Sequence, residues 1–243
     1  MKRACNVSGP SRRTGLRREI AAYLAIARGI ECSLSQIIVT SGFSGGLGLA
    51  LRVLGLEGRK VWVEEPGFPF TRRGLELARL SLAPIPVDAD GIDVDYGLRH
   101  APDAALAVVT PGQQAPLGST LSLARRLRLL DWAAQEGVFV IEDDYLGELQ
   151  LNGRAAPALA SLDRAGRVIH IGSFSKTLTQ PCAWAFSWSP CRWRRILPRS
   201  PRLSRRRPGR RCSSRPPSSC ATATICGICG VRSASMQRNA TGC

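Results

Sequence analysis

The chain has 243 residues, room for one large domain or two small ones, and at 44% hydrophobic composition it can bury a core. It holds no apolar run long enough for a transmembrane helix, and its start, MKRACNVSGPSRR, lacks the apolar stretch of a secretory signal, which points to the cytoplasm. The net charge of +16 suggests nucleic acid until it is located: residues 1–180 hold 21 basic against 18 acidic residues, whereas residues 181–243 hold 13 arginines, no lysine, no acid and seven of the nine cysteines.

In chain order, residues 15–30 (GLRREIAAYLAIARGI) place Leu16, Ile20, Tyr23, Leu24 and Ala27 at helical spacing. Residues 36–54 predict a short strand, a glycine-rich turn and a helix. KVWVEEPGFPF (60–70) predicts a strand ending in a Pro-Gly turn, followed by a helix to about Leu80. LAPIPVD predicts a strand, and residues 105–118 a buried strand and a loop. Residues 122–137 predict a helix ending at glycine. VFVIEDDY (138–145) and RVIHIGSFSK (167–176) predict two further strands.

Strands alternate with helices, and the strands are continuous apolar runs. The pattern predicts an α/β fold with a mostly parallel sheet covered by helices. Ligands of such sheets bind at the carboxyl ends of the strands. Polar clusters fall there at Ser41–Gly46, Glu65–Phe68, Asp143–Tyr145 and Ser173–Lys176. A glycine-rich turn opening a helix can cradle phosphate, or simply turn the chain. Asp143 can hold a pyridinium proton, or cap and solvate a loop. Phe68 can stack on a flat ring, or pack. Lys176 is one of three lysines in a chain rich in arginine, and an amine can form a Schiff base where a guanidinium cannot.

The stretches TSG, VWVEEPGFP, VTPGQQAPLGSTLSLARRLRLLDWA, IEDDYLGEL and GRVIHIGSFSKTL resemble class I/II aminotransferases of fold type I. The resemblance is strongest to the aminotransferase-like domain of MocR/GntR-type transcriptional regulators, and it covers residues 15–180. It implies the fold type I large domain and pyridoxal 5′-phosphate as cofactor. By the same resemblance Lys176 would carry the cofactor, Asp143 would pair with its pyridine nitrogen and Tyr145 would contact its 3′-oxygen. Ser173 and backbone near Gly42, Phe43 and Ser44 would hold its phosphate. Phe68 stands where the family has a stacking Tyr, and Gln114 lies in the loop that normally touches the ring. The expected ligand is an amino acid or 2-oxo acid, as substrate or effector, and the intact family is expected to be homodimeric.

The pattern breaks after the lysine. The family continues with a strand of the form A-L-R-L-G-[YF]-L-V-x-P, whose arginine clamps the phosphate. Here the chain reads PCAWAFSWSP, with no arginine from Thr177 to Cys191. A one-base shift of GC-rich codons for this stretch would give A-L-R-L-G-F-L-V-V-P. Residues 1–14 and 181–243 are therefore expected to be out-of-frame flanks around an authentic core. The tail is expected to be disordered, the sheet to lose the strand, and the C-terminal domain with the substrate-carboxylate arginine not to be legible. The basic tail permits only non-specific nucleic-acid binding. Cys226-x-x-Cys229 is at most a zinc half-site, so no metal is expected.

Overall fold

The structure is a computed structural model and describes residues 10–146, 157–174 and 184–188. In chain order the elements are α1 (Pro10–Arg28), β1 (Ile37–Ser41), α2 (Gly42–Leu54), β2 (Lys60–Glu65), α3 (Pro69–Leu77), β3 (Ser81–Asp88), β4 (Gly91–Ile92), α4 (Val94–His100), β5 (Leu106–Val109), α5 (Leu123–Gln135), β6 (Phe139–Asp144), α6 (Leu159–Leu162), β7 (Val168–Ser173) and β8 (Trp184–Trp188).

The strands form one sheet in the order β1-β8-β7-β6-β5-β2-β3-β4. β3, β2, β5, β6 and β7 pair in parallel. β8 is antiparallel to both β7 and β1, so β1 runs the same way as the parallel set. The carboxyl ends of six strands therefore share one edge. This is the mostly parallel, helix-covered sheet that the apolar runs predict.

Two cores flank the sheet. One packs Ile20 and Leu24 of α1, Leu129 and Trp132 of α5 and Leu159 of α6 on Trp62 and Val140. The other packs Leu47, Ala50 and Leu51 of α2 and Leu75 of α3 on Val61, Val63, Ile141 and Ile171. Val140 and Ile141 point into different cores because successive strand residues alternate. Trp62 stacks on Trp132 at 3.9 Å and donates its indole N–H to the Ala101 carbonyl at 2.8 Å. That bond satisfies the polar end of a fully buried ring.

Three expectations are corrected. α1 begins at Pro10, five residues before the predicted start. No separate glycine-rich turn follows β1, because Gly42 opens α2 directly and Gly45 and Gly46 lie inside it. A Cβ on Gly46 would sit 3.0 Å from the Ile171 side chain, so this glycine lets the helix approach β7 closely rather than turn the chain. The sheet also keeps the strand expected to be lost: residues 184–188 form β8, wedged between β1 and β7. Alternation drives it, for Phe186 and Trp188 are both buried in the core beneath α1. The rest of the stretch 181–243, and the first nine residues, lie outside the described residues. Among the described residues no helix is long and apolar enough to cross a membrane.

Candidate functional site

The shared strand edge gathers the predicted residues that the structure describes. β1 ends at Ser41, and α2 starts at once with Gly42, Phe43 and Ser44. Gly42 has φ +76°, and the space its Cβ would enter is open. Ser41 makes no side-chain cap, so the N–H groups of the first turn of α2 receive no bond from it. Free N–H groups at a helix start attract anions. At the far end of β7, Ser173 is half-buried at the same edge.

On the other side of β7, at the ends of β6, β5 and β2, lies a small pocket whose walls include Glu64, Phe68, Thr71, Arg72, Thr110 and Asp143. Glu64 is buried and fixed. Its carboxylate accepts the Thr110 N–H at 2.9 Å and the Thr110 hydroxyl at 2.6 Å, with the Gln114 amide at 3.3 Å. Burial pushes its carboxyl up, against the pull of those bonds. Arg72 donates to the Glu64 carbonyl at 2.6 Å and pairs with Glu65. Phe68 is 43% exposed and tilts against Phe70, their ring centres 5.4 Å apart. Gln114 ties its loop to the one after β2: its amide donates to the Pro66 and Ala115 carbonyls at 2.7 and 2.9 Å, and its oxygen accepts the Leu117 N–H at 3.0 Å.

Asp143 is the unusual member. It is only 6% exposed, and its Oδ1 has no hydrogen-bond partner among the described residues. Burial holds its carboxyl well above the ordinary range, and the neighbouring charges of Asp144, Glu64 and Glu142 push the same way. A buried carboxyl oxygen without a partner is costly unless one arrives from outside. Tyr145, two residues on, is half-buried; burial raises its phenol, as do Asp143 and Glu64. The edge thus offers helix N–H donors at one end and, near its middle, a carboxyl suited to a proton-bearing nitrogen. Lys176, the expected amine, lies outside the described residues.

The opposite face of β6 is fully partnered. Glu142 accepts the Leu159 and Ala160 N–H groups at 2.7 and 3.0 Å and lies 2.9 Å from His170 Nδ1. Asp144 pairs with Arg28 at 2.7 Å. The sequence reading passed over Glu64, Arg28, Glu142 and His170. The available signal was a charged or imidazole side chain inside an otherwise apolar strand, as in VWVEE and VIHIG. Among the described residues no group of His, Cys, Asp and Glu could hold a metal ion.

The aminotransferase class I and II family model matches residues 1–197. The chain is 40% identical over 163 residues to the probable rhizopine catabolism regulatory protein MocR of Rhizobium meliloti, a match that covers 67% of this chain and 33% of the relative. It is 30% identical over 172 residues to aromatic-amino-acid aminotransferase 1 of Thermococcus litoralis, which covers 68% of this chain and 41% of the relative. Among solved structures, Pyrococcus horikoshii kynurenine aminotransferase superposes with a TM-score of 0.68 at 29% identity, covering 73% of this chain and 45% of that one. The chain spans about a third of the length of the first curated relatives it matches.

Proposed function

Because the chain belongs to the aminotransferase class I and II family, we propose that residues 15–180 form a pyridoxal 5′-phosphate domain built to move an amino group between an amino acid and a 2-oxo acid. The observation that carries this reading is Asp143, which lines the pocket and whose buried Oδ1 has no partner among the described residues. A carboxyl whose proton affinity is raised by burial fits a pyridine nitrogen, which brings a proton and a positive charge to it.

The other residues fit the same group. The first turn of α2, Gly42 to Ser44, and Ser173 would take the phosphate. Phe68 would lie against the ring, and Tyr145 would meet its 3′-oxygen. Gln114 holds the shape of the intervening loop, and Lys176 would supply the amine that bonds the cofactor. Bound here, the cofactor would provide an electron sink for the substrate's α-carbon. Asp143 would keep the ring nitrogen protonated, and Lys176 is the base that would carry a proton to and from that carbon.

The chain as given is expected to turn over poorly. No arginine occurs from Thr177 to Cys191, so the charge-assisted phosphate clamp of the family strand is missing. A second reading rests on the 40% identity to MocR: the domain would sense an amino acid or 2-oxo acid for a transcriptional regulator, with the cofactor serving as a receptor. The homodimer and the cytoplasmic setting belong to either reading.

The test is to load the protein with pyridoxal 5′-phosphate, add a panel of amino acids and follow conversion to the pyridoxamine form by absorbance. Binding with slow or absent conversion is the expected result. Turnover near that of an intact aminotransferase would overturn the poor-activity claim, and no saturable binding would overturn the cofactor reading.

A further inference from the structure

Phe68 is 43% exposed, yet the turn that carries it is fixed from behind. Between β2 and α3 three alternate carbonyls each hold a bond. The Glu64 carbonyl accepts from Arg72 at 2.6 Å, the Pro66 carbonyl from Gln114 at 2.7 Å, and the Phe68 carbonyl from the Thr71 N–H at 3.1 Å. Thr71 and Arg72 belong to α3, which the turn leads into. Gln114 comes from the loop after β5, 48 residues along the chain from Pro66.

Gln114 is 2% exposed and has no donor to spare. Its two amide hydrogens face three acceptors: the Pro66 carbonyl, the Ala115 carbonyl at 2.9 Å and Glu64 Oε2 at 3.3 Å. Its oxygen accepts the Leu117 N–H at 3.0 Å. Its backbone closes the same loop, accepting from the Gly118 N–H at 2.6 Å and donating to the Ser119 carbonyl at 2.8 Å. Glu64 anchors this arrangement to the sheet, because its carboxylate also accepts the N–H and hydroxyl of Thr110, just past β5. A single exposed aromatic ring needs no explanation. Here the ring lines the pocket, and a buried glutamine ties its backbone to a second strand end.

We propose that Gln114 is a positioning residue: it latches the loop after β5 to the turn after β2, and so holds the Phe68 ring in place before any flat ligand reaches the pocket. A ring held in advance does not have to be ordered when the ligand binds, so the cost of binding falls. That the ligand is a pyridine ring rests on the cofactor reading above; the latch and its hold on Phe68 do not.

The chain has six phenylalanines, few enough for fluorine NMR. In full-length protein labelled with 4-fluorophenylalanine and free of cofactor, with lines assigned by F68L and F139L, the Phe68 line is expected to be single and narrow. In Q114A it should shift and broaden, while the line of Phe139 on β6 stays where it is. An unmoved Phe68 line would overturn the proposal. So would an equal shift at Phe139, since Gln114 would then be a general prop of the fold. The affinity for pyridoxal 5′-phosphate supplies a double-mutant cycle: Q114A is expected to weaken binding about tenfold in wild type and under about twofold in the F68L background. Equal losses in both backgrounds would contradict the latch, because Gln114 would then act other than through Phe68. If Q114A does not fold, Q114M, which keeps most of the volume and loses the donors, takes its place in both measurements. Failure of the wild type to bind pyridoxal 5′-phosphate would sink the cofactor reading alone, and the fluorine results would still decide the latch.

Discussion

β6 and β8 are both buried strands that hold polar atoms without partners among the described residues, yet the two cases mean different things. On β6 the atom is Asp143 Oδ1, in a residue that lines a pocket at the carboxyl edge of the sheet. On β8 the atoms are Ser187 Oγ and Trp188 Nε1, in a strand wedged between β1 and β7. An unpartnered group that faces an opening awaits a ligand. Ser187 and Trp188 do not line that pocket, so their unmet groups are a cost with no ligand there to meet it. Glu142 and Asp144, beside Asp143, mark the ordinary condition of a buried acid, with every charge answered.

Breaking the answered side of β6 should have the largest effect. E142A would leave His170 and the Leu159 and Ala160 N–H groups without their acceptor, so a loss of about 3–5 kcal/mol is expected in urea unfolding. D143N should act in the opposite direction. The folded-state affinity of Asp143 for its proton is raised, so its contribution to stability is present below the ordinary aspartate range and lost as pH rises through the raised midpoint. D143N should therefore stabilise the cofactor-free protein at pH 7 by about 1–3 kcal/mol, flatten that pH dependence and weaken pyridoxal phosphate binding at least tenfold. Paired melts from pH 4 to 8 would check the sign.

On β8, S187A removes a hydroxyl without a partner and should stabilise by about 1 kcal/mol with no change in cofactor affinity. A loss of affinity there would break the distinction between the strands. The smallest effect belongs to the surface. Asp88 is 55% exposed and pairs with Arg125 at 2.6 Å. D88N should cost under about 1 kcal/mol, fading in high salt.

Much of this was legible in the sequence for a physical reason. Short continuous apolar runs such as ALAVV and VFVI, set between helical patterns, read as strands covered on both faces, and such strands end where ligands bind. Asp143, Tyr145, Phe68 and Ser173 could therefore be placed on one edge. What was not legible depends on pairing across the sheet. The position of β8 between β1 and β7 follows from no local pattern, although the alternation in WAFSW was visible. The Glu142–His170 contact joins residues 28 apart that only register brings together. Gly46 looked like part of a turn because its reason, the nearness of Ile171, is tertiary.

The central claim is that this edge is a pyridoxal phosphate site served by a lysine just past β7. The most direct measurement uses the protein loaded with the cofactor, reduced with borohydride and mapped by mass spectrometry. The chain offers only Lys2, Lys60 and Lys176. The account predicts a visible band that disappears on reduction and a phosphopyridoxyl label on Lys176. A label confined to Lys2 or Lys60 would contradict it.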